Sequence, residues 1–77
     1  MNVGELGRRI SECIDELGLL LDRIYRFGQG QREGYFERIQ SLKNKLMGLK
    51  ANLRETNVQS VEKQYKQLYL TTNSLKN

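Results

Sequence analysis

The chain has no proline, no tryptophan and no histidine, and its 77 residues include a single cysteine. Each absence removes a class of explanation. Without histidine, no side chain has an ordinary pKa near neutrality, and the commonest metal ligand is missing. Cys13 alone forms no intrachain disulfide, so no covalent scaffold compensates for the small size. Without proline, nothing in the covalent structure forces a helix to stop. Long apolar runs are missing too. The longest is Leu19-Leu20-Leu21, far short of the ~20 residues that a membrane-spanning helix needs. Nothing before it resembles a signal peptide, so a cytoplasmic location is expected, with leaderless export as the open alternative.

What is present is helix-forming. Lys, Arg, Glu, Gln, Leu and Asn dominate, the composition of a highly helical chain. Val3, Leu6, Ile10, Cys13, Leu17, Leu20, Ile24 and Phe27 alternate three and four apart, a heptad seam with these residues at positions a and d. Asn2 and Glu5 have capping-box spacing at its start, and Gly28 is the natural stop. The segment 28–34 holds three glycines and no apolar side chain, so a solvated turn is expected there. The seam resumes at Tyr35, Ile39, Leu42, Leu46, Leu49 and Leu53, predicting a second helix over about 35–54. Beyond it, Val58, Val61, Tyr65, Leu68 and Leu75 form a stripe rotated by roughly a quarter turn, and Thr56 with Gln59 repeats the capping-box spacing. A third helix over about 58–75 follows.

The expected fold is therefore all-α: an antiparallel helical hairpin extended to a small three-helix bundle, in one domain spanning 1–77. The alternative is a two-helix hairpin whose long second helix oligomerises. At 1.5 Å per residue the first helix spans about 39 Å and the others about 30 Å. Its Val3 and Leu6 end is accordingly expected to overhang its partners.

The first helix carries charge only at heptad positions c, f and g. Its uncharged arc includes a small-residue row, Gly4, Ser11 and Gly18, through which another helix can approach closely. Either the chain's own second and third helices fill this arc, or a partner does. In the second case Ile10, Leu17, Leu20, Leu21 and Ile24 make the apolar contact, with Gly18 permitting the approach. Charge is divided unevenly. Residues 1–27 hold four Arg against five acids, a net of −1, whereas residues 35–54 hold Arg38, Lys43, Lys45, Lys50 and Arg54 against Glu37, a net of +4. Lys43 and Lys50 occupy e and Lys45 occupies g, so cations flank the seam on both sides and suit an acidic neighbouring helix. Glu16 is a possible match within the chain. Lys43, Lys50 and Arg54, at i, i+7 and i+11 with Met47 between them, also make a row that can contact phosphates, which supports nucleic-acid binding as the rival reading.

Catalysis finds no constellation here. Cys13 sits at a d position among Leu and Ile, where it reads as a small buried apolar group. Glu12 and Glu16 read as an ordinary helix surface, so no catalytic, metal or cofactor residue is assigned. The glycines of 28–34 lack the preceding strand and the Lys-Ser/Thr ending of a phosphate loop. Tyr65, on the third stripe, and Tyr69 beside it are expected to be partly buried with a hydroxyl at the edge; the alternative is that Tyr69 and Leu70 are exposed as a small contact patch. No diagnostic motif points to a family. The expected function is a small non-enzymatic helical module that binds protein, either further copies of itself or an acidic helical partner. The alternative is a small basic nucleic-acid-binding regulator.

Overall fold

The structure is a computed structural model that describes residues 1–27 and 34–76, apart from the side chains of Phe27 and Lys76. Three helices are present: α1 (Val3–Phe27), α2 (Tyr35–Asn52) and α3 (Val58–Lys76). Each packs against the other two, giving a three-helix bundle 42 Å long and 17 to 18 Å across. The expected turn at 28–33 lies outside the described residues.

The start of α1 follows from its capping residue. The Asn2 side-chain carbonyl accepts the Glu5 backbone N–H at 2.8 Å, and the Asn2 backbone carbonyl accepts that of Leu6 at 2.9 Å. The otherwise orphaned Glu5 amide is thereby satisfied, and the regular helical ladder begins with the Leu6 amide. At the start of α2 the side chain contributes nothing, and the backbone sets the geometry. Gly34 adopts φ 78°, a left-handed conformation that costs other residues about 1–2 kcal/mol, while its carbonyl accepts the Arg38 N–H at 2.9 Å.

The second helix ends at Asn52, two residues before the expected boundary, because Leu53 turns extended at ψ 126°. No glycine or proline produces this break. Asn57 holds it: its side-chain carbonyl accepts the Arg54 N–H at 2.8 Å, and its amide donates to the Asn52 carbonyl, also at 2.8 Å. One side chain thus satisfies a carbonyl left over at the end of α2 and an amide in the turn beyond it. The Asn57 backbone carbonyl then accepts the Val61 N–H at 3.0 Å as α3 begins. The expected capping box of Thr56 and Gln59 is not what makes the turn. Asn57, one residue further on, has both the donor and the acceptor that the geometry requires.

The core is the seam read from the spacing. Leu6, Ile10, Cys13 and Leu17 from α1 meet Ile39, Leu42 and Leu46 from α2 and Val61 and Tyr65 from α3, all buried. Full burial of such a leucine or isoleucine stabilises the fold by about 1.5–3 kcal/mol. Thr72 is the one buried polar residue among those described. It occupies the stripe position between Leu68 and Leu75, donates to the Leu68 carbonyl at 2.9 Å and accepts from the Cys13 thiol at 3.5 Å. Its hydroxyl is therefore satisfied inside the core.

The expected overhang at the start of α1 does not occur. Leu6 is fully buried, and Leu53 reaches to 3.6 Å from where a Cβ on Gly7 would stand. The N-terminal ammonium of Met1 bonds Glu62 of α3 at 3.0 Å. Leu53 and the first turns of α3 cover this end because they extend the short helices along it. The surplus length of α1 lies instead at its C-terminal end, where Leu20 and Ile24 stay half-exposed and Tyr25 is 85% exposed.

Candidate interaction surface

The wide uncharged arc of α1 is divided between its two neighbours. Cys13 faces Thr72 of α3, whereas Gly7 and Gly18 face Leu53 and Lys43 of the α2 segment. Ile10 and Leu17 are fully buried between the helices, so the apolar contact they make is with this chain's own α2 and α3. Leu20, Leu21 and Ile24 pack against the same core while remaining half-exposed. The Lys43 ammonium lies 3.9 Å from where a Cβ on Gly18 would be, so this small-residue position is approached by a lysine rather than by a second backbone. The long lysine stem lies along apolar surface while its charge stays near water.

The cations of α2 divide in the same way. Lys43 and Lys50, seven residues apart, lie on the side toward α1. Lys45 lines open grooves on the other side with Leu42, Leu49 and Leu68, between α2 and α3. Arg54 lies past the end of the helix, its backbone N–H held by Asn57. The expected helical row of Lys43, Lys50 and Arg54 therefore ends at Lys50, because the break at Leu53 removes Arg54 from the helical register. Among the described residues, the ion pairs join Met1 to Glu62, Arg9 to Glu5, Arg26 to Asp22 and Lys66 to Glu62. None of them involves Lys43, Lys45, Lys50 or Arg54.

Exposed apolar groups accompany these cations. At 100° per residue, Phe36, Lys43, Met47 and Lys50 fall within about 60° of one another around α2. Phe36 is 42% exposed and Met47 51% exposed. On α1 the acids Asp15 and Asp22 flank Leu19, which is 65% exposed, within a similar arc. Lys43 beside Gly18 places the α2 arc along the outer groove between α1 and α2, whereas Leu19, 100° around the helix from Gly18, faces away from the bundle. The antiparallel register set by Gly7 with Leu53 and by Gly18 with Lys43 brings Tyr25 level with Phe36. This combination of aromatic, methionine and charged side chains has the composition of a contact surface. Residue spacing marked the lysines with Met47 between them, but not Phe36 as their companion, because Phe36 reads as a residue beside the core seam.

The α3 face is different. Tyr65 is buried, and its ring centroid lies 5.8 Å from that of Tyr69. Burial first, then the neighbouring Cys13 and Tyr69, push the Tyr65 hydroxyl above its ordinary pKa of 10.0. Tyr69 and Leu70 are both exposed, at 42% and 69%. Glu62 is held below its ordinary 4.5, chiefly by the hydrogen bond from the N-terminal ammonium and then by Lys66, against a smaller opposing effect of desolvation.

Among the described residues, no group of three or more His, Cys, Asp or Glu side chains is disposed to hold a metal ion, and no helix is long and apolar enough to cross a membrane. Comparison with protein-family models, with curated proteins and with solved structures yields no match for this chain.

Proposed function

We propose that this chain is a non-enzymatic helical interaction module whose contact face is the outer side of the α1–α2 hairpin, and that its partner is a protein bearing an acidic helix. The observation that carries the reading is the exposure of Phe36 and Met47 beside Lys43 and Lys50 on one face of α2. Apolar anchors supply the affinity of such a surface, while charge supplies orientation and discrimination. The buried seam, with Ile10 and Leu17 at its centre, acts as the scaffold that presents this face. Half-exposed Leu20, Leu21 and Ile24 extend it toward the hairpin tip.

Titration of the purified chain with a synthetic acidic amphipathic helical peptide, and separately with duplex DNA, tests this reading against nucleic-acid binding. Peptide binding is expected, weakened about tenfold or more by Met47→Ser, since a buried methionine contributes about 1.5–3 kcal/mol. Neutralising the cations in Lys43→Gln/Lys50→Gln is expected to weaken it as well. Tighter binding to DNA, falling steeply with salt and indifferent to Met47→Ser, would replace this reading with a phosphate-binding one.

A further inference from the structure

The outer groove between α1 and α2 has a cationic wall on one side and a gap in the wall opposite. Lys43 and Lys50 stand seven residues apart, so their Cα atoms are about 10 Å apart on nearly the same side of α2. None of the ion pairs among the described residues involves either of them. Met47 stands between them and is 51% exposed. Across the groove α1 presents Gly18. Outside its own stretch of helix, a Cβ there would come within 4 Å only of the Lys43 ammonium, at 3.9 Å, among the described residues. Packing within the chain thus does not require a glycine, although glycine is unfavourable in mid-helix. Its effect is to leave space beside the Lys43 ammonium on the α1 side of the groove.

We infer that the acidic helix bound by this face carries two carboxylates seven residues apart with an apolar residue between them, and that it lies in the groove over Gly18. The carboxylates meet Lys43 and Lys50, and the apolar residue meets Met47. The spacing follows from helix geometry. On a helix lying along α2, positions i and i+7 share a side and are separated by the same ~10 Å as the two lysines, whereas i and i+4 are only about 6 Å apart and bring one carboxylate at a time opposite an ammonium. An apolar residue at i+3 or i+4 falls between the carboxylates, as Met47 falls between the lysines. Opposite charges along the rim then fix the register, and the covered methionine adds apolar contact. Gly18 sets the depth, because the missing side chain lets the partner helix approach α1 and reach the Lys43 ammonium. One heptad beyond Lys43, about 10 Å along α2, the same helix arrives at Phe36, 42% exposed, and Tyr25, 85% exposed, so a second apolar residue belongs there. The inference rests on the proposed function and specifies the spacing its partner carries.

Fluorescence anisotropy with two labelled synthetic peptides of identical composition tests it, with the helicity of each peptide and variant checked by circular dichroism. One peptide carries glutamates at i and i+7 flanking a leucine, and the other carries them at i and i+4. The first is expected to bind the full chain about threefold or more tighter at low salt, and the difference is expected to shrink at high salt. Gly18→Leu fills the gap with a side chain that meets the flexible end of Lys43. This variant is expected to keep its fold, since it replaces a glycine within a helix, and to weaken binding of the matched peptide about tenfold or more. Gly48→Leu, on the α2–α3 side of the bundle, is expected to bind as the parent does. Equal affinity for the two peptides overturns the spacing, on the unaltered chain and whatever the fold of a variant. Full binding by a folded Gly18→Leu overturns the placement in the groove. If either result comes with binding that is still weakened by Met47→Ser, the proposed function stands and only this register is removed. Binding of neither peptide removes both.

Discussion

Asn57 connects the composition of this chain to its topology, and replacing it by alanine gives a sharp expectation. The turn between α2 and α3 contains neither glycine nor proline, and the Asn57 side chain makes two hydrogen bonds of 2.8 Å across it. Each is worth about 1 kcal/mol net. Alanine also favours continuing the helix by several tenths of a kcal/mol, which stabilises the competing arrangement of one long second helix. Asn57→Ala is thus expected to cost about 2 kcal/mol. For a domain of this size that lowers Tm by about 8–15 °C, read by thermal circular dichroism at one fixed protein concentration, since association would shift Tm by mass action. Asn57→Asp keeps the acceptor for the Arg54 amide but loses the donor to Asn52, and is expected to cost about half as much. Thr56→Ala removes an exposed residue outside the hydrogen bonds of the turn, and is expected to leave Tm within about 2 °C. A capping box built on Thr56 would reverse the order of Asn57→Ala and Thr56→Ala. That reversal, or an Asn57→Ala shift below about 2 °C, would refute the assignment of the turn to Asn57.

Two glycines are expected to respond with opposite signs. Gly48 lies within α2 with no atom within 4 Å of a prospective Cβ, so Gly48→Ala should stabilise by about 1 kcal/mol, whereas Gly34→Ala, at φ 78°, should destabilise by about 1–2 kcal/mol. Denaturant midpoints of the two variants check this, and equal signs would contradict the backbone assignment. Glu62, its carboxyl held below 4.5 by the N-terminal ammonium, favours the fold above its unfolded pKa and loses that contribution as pH falls through the lower folded value. The Tm difference between the parent and Glu62→Gln should therefore be present at neutral pH and shrink below about pH 4.5. A difference constant from neutrality into acid would show that the ion pair does not contribute.

The candidate surface was only partly readable in advance. Lys43, Lys45 and Lys50 are visible as an excess of cations on one segment, but their division into two faces depends on where α1 and α3 lie against α2. Arg54 appeared to extend the row because the Thr56 and Gln59 spacing puts the expected helix end just after it, whereas the helix already ends at Asn52. The break arises from an asparagine whose side chain bonds backbone groups on both sides of it. Ile10 and Leu17 were legible as an apolar contact, yet only packing decides whether such a contact is made inside the chain or outside it. Phe36 and Met47 stand off the seam, and spacing alone cannot distinguish a peripheral core residue from an exposed anchor.

The amino-acid order by itself determined that this chain is helical and where its three helices lie. The three-and-four alternation of its apolar residues places them on one face of an α-helix, and packing against other helices buries that face. Tertiary structure decided which surfaces are spent in the core and which remain. Burial depends on the rotation of each helix about its axis relative to its neighbours. That rotation is set by contacts between residues distant in sequence: Gly7 with Leu53 and Gly18 with Lys43, and Cys13 with Thr72.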